Sequence, residues 1–255
     1  MTLVMFDIDG TLTESFALDA AAFLDALRDV FGFDDISDDW ASYQHVTDAG
    51  ILAEVFALRR GRAPSMKEIA RVQAHFVALL SARVAAAGGI QPVRGIEAVL
   101  ARLLASPDHA VAYASGGWSA AARFKLRSAG LPTEGVPCAF SDDEVSREGL
   151  CRIAQARAEA QHGQTFARVV YVGDGVWDVR AARSLGYDFI GIGRAAGAQK
   201  LRAEGAAEVL ADFRAADKFF TLLPTIQPPN PALQRTGSGV LPLSIATSIL
   251  ARACR

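Results

Sequence analysis

Cysteine is scarce in this 255-residue chain: Cys138, Cys151 and Cys254 are odd in number and stand in no CxxC or Cys/His spacing. Neither a disulfide framework nor a zinc site is expected, and the three read as small apolar residues for the interior. A surplus of either charge is also missing, since 26 Lys and Arg stand against 28 Asp and Glu for a formal charge of −2. Broad capture of nucleic acid or of an anionic membrane needs a concentrated positive field, so neither is an expected partner. Long apolar runs are lacking too. The opening MTLVMFDIDG reaches a brief apolar stretch without basic residues ahead of it and runs straight into acids, unlike a signal peptide or a membrane span. A cytoplasmic protein acting on a small soluble ligand is the expectation. What is present is an ordinary globular balance, 51% hydrophobic and 21% charged, which excludes wholesale disorder and fibrous repeats.

The run Leu3-Val4-Met5-Phe6 is continuous instead of alternating, as in a parallel strand covered on both faces. Similar runs recur at 110–114, 136–140, 169–172 and 189–192. Helical spacing fills the gaps: Ile96 to Ala105, Ser119 to Ala129 stopping at Gly130, and Val176 to Leu185 stopping at Gly186. Strands alternating with helices predict an α/β fold, a doubly wound, Rossmann-like parallel sheet with right-handed crossovers.

Residues 16–90 break that rhythm with helix patterns and no strand. Leu18 to Phe31 and Thr47 to Arg59 read as two helices, and Ser65 with Glu68 forms a capping box ahead of Ile69, Val72, Phe76, Leu79 and Leu80. The expected organisation is a sheet core of residues 1–15 and 91–224 with an all-helical insert at 16–90. After Leu223 the sequence turns to PTIQPPNPALQRTGSG and then VLPLSIATSIL. That stretch is too short and too broken by Pro242 to span a bilayer, so 225–255 is expected to be an unstructured tail.

Chemistry concentrates at two strand ends. Asp7 and Asp9 in FDIDGTLT follow the first apolar run at i and i+2, so both acids can face the crevice where doubly wound folds bind ligands. Gly10 permits a sharp turn and Thr11 adds a hydroxyl. Asp174 and Asp178 in VGDGVWDV follow the fourth run in the same way, beside their alternative use as helix N-caps. Close carboxylates repel unless a cation offsets them. Two acidic strand ends in one domain describe an oxygen-rich site for a hard divalent cation such as Mg²⁺. A Ser115-Gly116-Gly117 turn after the second run supplies a hydroxyl and free amides for a phosphoryl oxygen.

These motifs resemble those of the haloacid dehalogenase superfamily, over residues 1 to about 223. The insert resembles the helical cap of its phosphoglycolate phosphatase and β-phosphoglucomutase-like branch. The resemblance implies a Mg²⁺-dependent phosphatase of a small phosphorylated metabolite, as a monomer or homodimer. Asp7 would be the nucleophile that becomes an aspartyl phosphate, and Asp9 the general acid and base. Mg²⁺ would be held by the Asp7 carboxylate, the Asp9 carbonyl and Asp174, with Asp178 in support. Thr11, Ser115 and Gly116 would meet the phosphoryl group. The family's basic third motif is normally a lysine before the fourth strand; here Arg147 stands in that place, and Lys125, within a helix pattern that suits a solvated face, is the second choice. An acid at Asp9 favours an oxygen leaving group over halide or a phosphonate carbon. A phosphomutase of the same branch and a non-catalytic phosphometabolite sensor stand as alternatives. Within the insert, His45, Thr47 and Asp48 are candidates for specificity, with an N-cap as the plainer role for Thr47 or Asp48. Arg59, Arg60 and Arg62 read as a solvated helix end, with a grip on a substrate carboxylate as the alternative. Trp118 and Trp177 are expected to pack.

Overall fold

The computed structural model describes residues 1–231. Six parallel strands, β1 (Thr2–Phe6), β2 (His109–Ala114), β3 (Cys138–Ala139), β4 (Arg168–Gly173), β5 (Asp188–Ile192) and β6 (Glu208–Leu210), lie in the order β3-β2-β1-β4-β5-β6. The chain builds outward from β1 to β3, then crosses back to place β4 on the other side of β1. That reversal opens a crevice at the carboxyl ends of β1 and β4, where both acidic motifs emerge.

The continuous apolar runs are explained by burial on both faces. Val4 and Phe6 of β1 enter one core cluster with Val111, Tyr113, Val170 and Val172, whereas Leu3 and Met5 enter a second with Ala110, Ala112 and Tyr171. All four β1 side chains are fully inaccessible, and each such burial contributes about 1.5–3 kcal/mol. Helices α4 (Ile96–Leu104), α5 (Ser119–Ser128), α6 (Arg147–His162), α7 (Val176–Leu185), α8 (Ala195–Glu204) and α9 (Ala216–Leu222) complete the sheet region. The run at 136–140 pairs over two residues only. Strand β6 and helix α9, of 3 and 7 residues, are too short to show a period.

Between β1 and α4 the chain forms α1 (Phe16–Phe31), a short 3-10 turn at Trp40–Ser42, α2 (Asp48–Arg60) and α3 (Met66–Ala86). It departs and returns by adjacent segments: Glu14 N–H donates to Gln91 O at 2.9 Å and Val93 N–H to Leu12 O at 2.9 Å. The capping box at α3 is formed, with Ser65 Oγ accepting from Glu68 N–H and Glu68 Oε2 accepting from Ser65 N–H. Helix α3 is long and apolar enough to cross a membrane. In this fold it spends that stripe internally, burying Val72, Phe76, Leu80 and Val84. The inserted helices do not hang free of the sheet: Phe23 of α1, Phe76 of α3 and Trp118 ahead of α5 meet as an aromatic trio with centroids 5.8–5.9 Å apart.

One expectation is corrected. The tail does not begin at 225, because Ile226 is 4% exposed within the core cluster and its carbonyl accepts from Arg168. Asn230 N–H donates to Gly205 O at 3.0 Å, and Arg183 Nε donates to Asn230 O at 2.9 Å. A single apolar residue and backbone hydrogen bonding anchor 225–230, features that proline-rich composition conceals. The rest of the expected tail and Cys254 lie outside the described residues; Cys138 and Cys151 are buried and free.

Candidate active site

Asp7 is carried to the end of β1 by the ladder, its N–H donating to Val172 O at 2.9 Å. The chain then turns through Gly10 at φ +78°, where a methyl group would come within 2.0 Å of Asp174 Oδ2. Only glycine both accepts that conformation and lets the first loop lie against the acid after β4. Asp178, on the first turn of α7, caps the helix by accepting from Gly175 N–H at 3.0 Å, and Tyr171 Oη donates to its other oxygen at 2.8 Å. Carboxylate oxygens of Asp7, Asp174 and Asp178 all lie within 4.8 Å of one another.

Among the described residues, one cationic side chain reaches this group. Arg147 opens α6 and donates from Nη1 to Asp7 Oδ1 at 2.8 Å and from Nη2 to Val46 O at 3.2 Å. Its Nε is buried without a hydrogen-bond partner, 3.6 Å from Asp178 Oδ1. Burial, and next the Asp178 charge, push the Asp7 carboxyl up to about 8 despite Arg147. Burial and then Asp7 hold Asp174 well above the ordinary carboxylate range, and burial raises Asp178 even though Arg147 opposes it. Three carboxylates facing one guanidinium leave negative charge unmet, in a set of hard oxygen donors that suits a divalent cation.

Asp9 does not join that cluster through its side chain. Its Oδ1 accepts from Ser15 Oγ at 2.5 Å and its Oδ2 from Lys125 Nζ at 2.5 Å. Lys125 also donates to Asp19 Oδ1 at 2.6 Å and is wholly inaccessible. The solvated-face reading of Lys125 is therefore wrong: it sits on the buried stripe of α5 with Ala121, Ala122 and Leu126. Burial opposes its charge, but Asp19 and Asp9 together hold its ammonium well above the ordinary range. Asp19, on the first turn of α1, is raised to about 6, chiefly by burial. Asp48 lies close by, 8% exposed and raised well above the carboxylate range, first by burial and then by Asp19.

Ser115, 1% exposed, follows β2 and accepts from Gly117 N–H at 3.2 Å. Gly116 leaves room for the arginine: a methyl there would stand 2.7 Å from Arg147 Nη2 and 2.8 Å from Val46 O. Thr47 is the N-cap of α2, accepting from Gly50 N–H at 3.1 Å and donating to Val145 O at 2.7 Å. Asp48 ties the same helix to the sheet region twice, its N–H donating to Gly116 O at 2.8 Å and its Oδ2 accepting from Trp118 N–H at 2.9 Å.

A single cleft takes in Asp7, Asp9, Asp174, Ser115, Gly116 and Arg147 together with Asp19, Thr47 and Asp48 of the insert. Trp177 lines it as well, whereas Trp118 is buried. Thr11 is not brought to the cleft; it is fully buried with its hydroxyl unpartnered. His45 packs over Gly50 and stays outside the lining. Asp19 escaped the sequence reading and Lys125 was read as a solvated residue, although a signal for both existed. Asp19 shares a helix face with Phe16, Ala20 and Phe23, and Lys125 follows Ala121 by one turn.

The family model for haloacid dehalogenase-like hydrolases matches residues 1–186. No curated protein sequence matches significantly. Among solved structures, a hydrolase from Pseudomonas syringae superposes with a TM-score of 0.68 at 20% identity, covering 87% of this chain and 99% of its own. CbbY from Rhodobacter sphaeroides, solved with phosphate, gives 0.60 at 21% identity, covering 83% and 94%. A haloacid dehalogenase hydrolase from Entamoeba histolytica gives 0.63 at 14% identity, covering 88% and 100%. The shared fold and the match over most of the chain make this protein a member of the haloacid dehalogenase-like hydrolase family.

Proposed function

We propose that the protein is a Mg²⁺-dependent phosphatase that hydrolyses a small phosphorylated metabolite through an aspartyl phosphate on Asp7. The observation that carries this reading is Asp7 itself: a buried carboxylate at the end of the central strand, hydrogen-bonded to Arg147 and clustered with Asp174 and Asp178. Mg²⁺ would be held by the Asp7 carboxylate, the Asp9 carbonyl and Asp174, with Asp178 in support. When bound it supplies positive charge against the phosphoryl oxygens and lowers the affinity of these carboxylates for protons.

The chain's own groups divide the chemistry. A phosphoryl oxygen is received by Arg147, whose buried Nε has a donor to spare, and by the Ser115 hydroxyl. The Asp7 carboxylate attacks phosphorus as the bond to the ester oxygen breaks, and Asp9 gives that oxygen its proton. Asp9 is thereby left as a carboxylate, oriented by its contacts with Lys125 and Ser15. It then takes a proton from the water that attacks phosphorus and breaks the bond to Asp7, releasing phosphate and restoring both acids. The inserted helices serve as a cap: Asp48 and Thr47 clamp α2 on the sheet region and shield the cleft from water.

Purified protein should release phosphate from a generic aryl phosphate in the presence of Mg²⁺ and stop when EDTA is added. Release that persists undiminished in EDTA would refute the metal-dependent route.

A further inference from the structure

The phosphatase reading leaves the alcohol half of the ester open, and the inference below rests on that reading. Beyond the phosphoryl end, the cleft wall belongs to the insert: Phe16 and Phe23 of α1, Trp40, and Asp48 and Ile51 of α2, with Asp19 between the aromatic residues. Among the described residues that line the cleft, Arg147 is the one cationic side chain, and it is engaged by Asp7 and the Val46 carbonyl. Lys125 lies behind the wall with no exposure, held by Asp9 and Asp19 at 2.5 and 2.6 Å. The insert's arginines are occupied elsewhere. Arg59 pairs with Asp35, Arg60 donates to Phe31 O and Arg62 grips Glu68, and none of the three lines the cleft. The structure therefore rules against the carboxylate-gripping alternative for these arginines.

A carboxylate or a second phosphate on the alcohol half would face Asp19 and Asp48 with no cation to receive it. Burying a charge with no cation to meet it is costly, and an unpaired charge is a strong device for rejecting the wrong ligand. The same two carboxylates are acceptors for hydroxyl or ammonium donors, while the rings around them cover a carbon skeleton. We infer that the natural substrate is a monophosphate ester of a non-anionic alcohol, one that presents hydroxyl or ammonium donors to Asp19 and Asp48. This disfavours a bisphosphate in the cleft, and with it the phosphomutase alternative.

The test is steady-state phosphate release with Mg²⁺ across size-matched esters: phosphoethanolamine, glycerol 3-phosphate and a hexose 6-phosphate against phosphoglycolate and a hexose 1,6-bisphosphate. The best non-anionic ester should exceed the best anionic one in kcat/KM by at least about tenfold, the discrimination of one unfavourable charge contact. A smaller ratio, or a preference for the anionic esters, overturns the inference. Phe16→Arg gives a second readout, since Phe16 is 40% exposed at the start of α1 and tolerates exchange. The added guanidinium should raise the anionic-to-neutral ratio of kcat/KM about tenfold; an unchanged ratio overturns the assignment of this wall. Absence of release from every ester and from a generic aryl phosphate would instead sink the phosphatase reading itself.

Discussion

Asp7, Asp174 and Asp178 at the strand ends, and Asp9, Asp19 and Asp48 toward the inserted helices, are two triplets of one residue type under similar burial. They differ in what balances them. The second triplet encloses an ammonium: Lys125 contacts Asp9 and Asp19 directly and opposes, without cancelling, the rise that burial gives Asp19 and Asp48. The first has a guanidinium that contacts Asp7 and only approaches Asp178, and Asp7 and Asp174 stay raised. An internally balanced triplet is built to hold a geometry, here the orientation of Asp9 and the docking of α1. A triplet short of positive charge is built to receive it from a cation and substrate.

The sharpest way to break this comparison is to remove the reacting oxygen. Asp7→Asn should lower kcat by at least about 10³-fold while the protein stays folded by circular dichroism; a smaller loss would move the nucleophile elsewhere. Next in size, Lys125→Met leaves two buried carboxylates facing each other and should cost about 3–5 kcal/mol in urea unfolding. A cost below 1 kcal/mol would show that the second triplet is not held by its lysine. Arg147→Lys keeps a charge but loses the planar fork, and should reduce kcat/KM by about 10–100-fold. Because Lys125 makes its contacts behind the cleft, Lys125→Arg should affect stability more than phosphate affinity, the reverse of Arg147→Lys. Equal profiles for the two variants would erase the distinction.

The smallest effect concerns pH. Asp7 titrates near 8 when folded, against an ordinary 3.8, so between those values the folded chain holds more protons than the unfolded one. Its contribution to stability therefore falls as pH rises from about 4 toward 8 in the absence of metal. Mg²⁺ competes with those protons, so calorimetry should show a larger Mg²⁺-induced gain in unfolding free energy at pH 8 than at pH 5, by about 1–2 kcal/mol. An equal gain at both pH values would argue against binding at the first triplet.

Much of this was legible because strand ends announce themselves. Continuous apolar runs followed at once by Asp7 or Asp174 mark both the sheet and the crevice, and Gly130 and Gly186 end their helices at φ +69° as left-handed residues. The charge pairing was not legible, since Lys125 and Asp9 are 116 residues apart and meet only once α5 joins the core cluster that also takes Val4 and Phe6 of β1. Polar residues on a buried stripe look like solvated ones until the partner is known. The docking of Ile226 was hidden for a similar reason, being one apolar contact within a proline-rich stretch. The substrate-facing wall was the least readable part, because it depends on where the insert's arginines do not go.

The nucleophile of phosphoryl transfer is assigned to the uncompensated triplet and not to the lysine-balanced one. Acid quench of the enzyme during turnover of an aryl phosphate, followed by mass spectrometry of the peptide containing both Asp7 and Asp9, tests it most directly. A phosphoryl group on Asp7, formed with Mg²⁺ and absent in EDTA, is the predicted result. Steady turnover with no covalent phosphate on that peptide, or with the label on Asp9, would contradict the account.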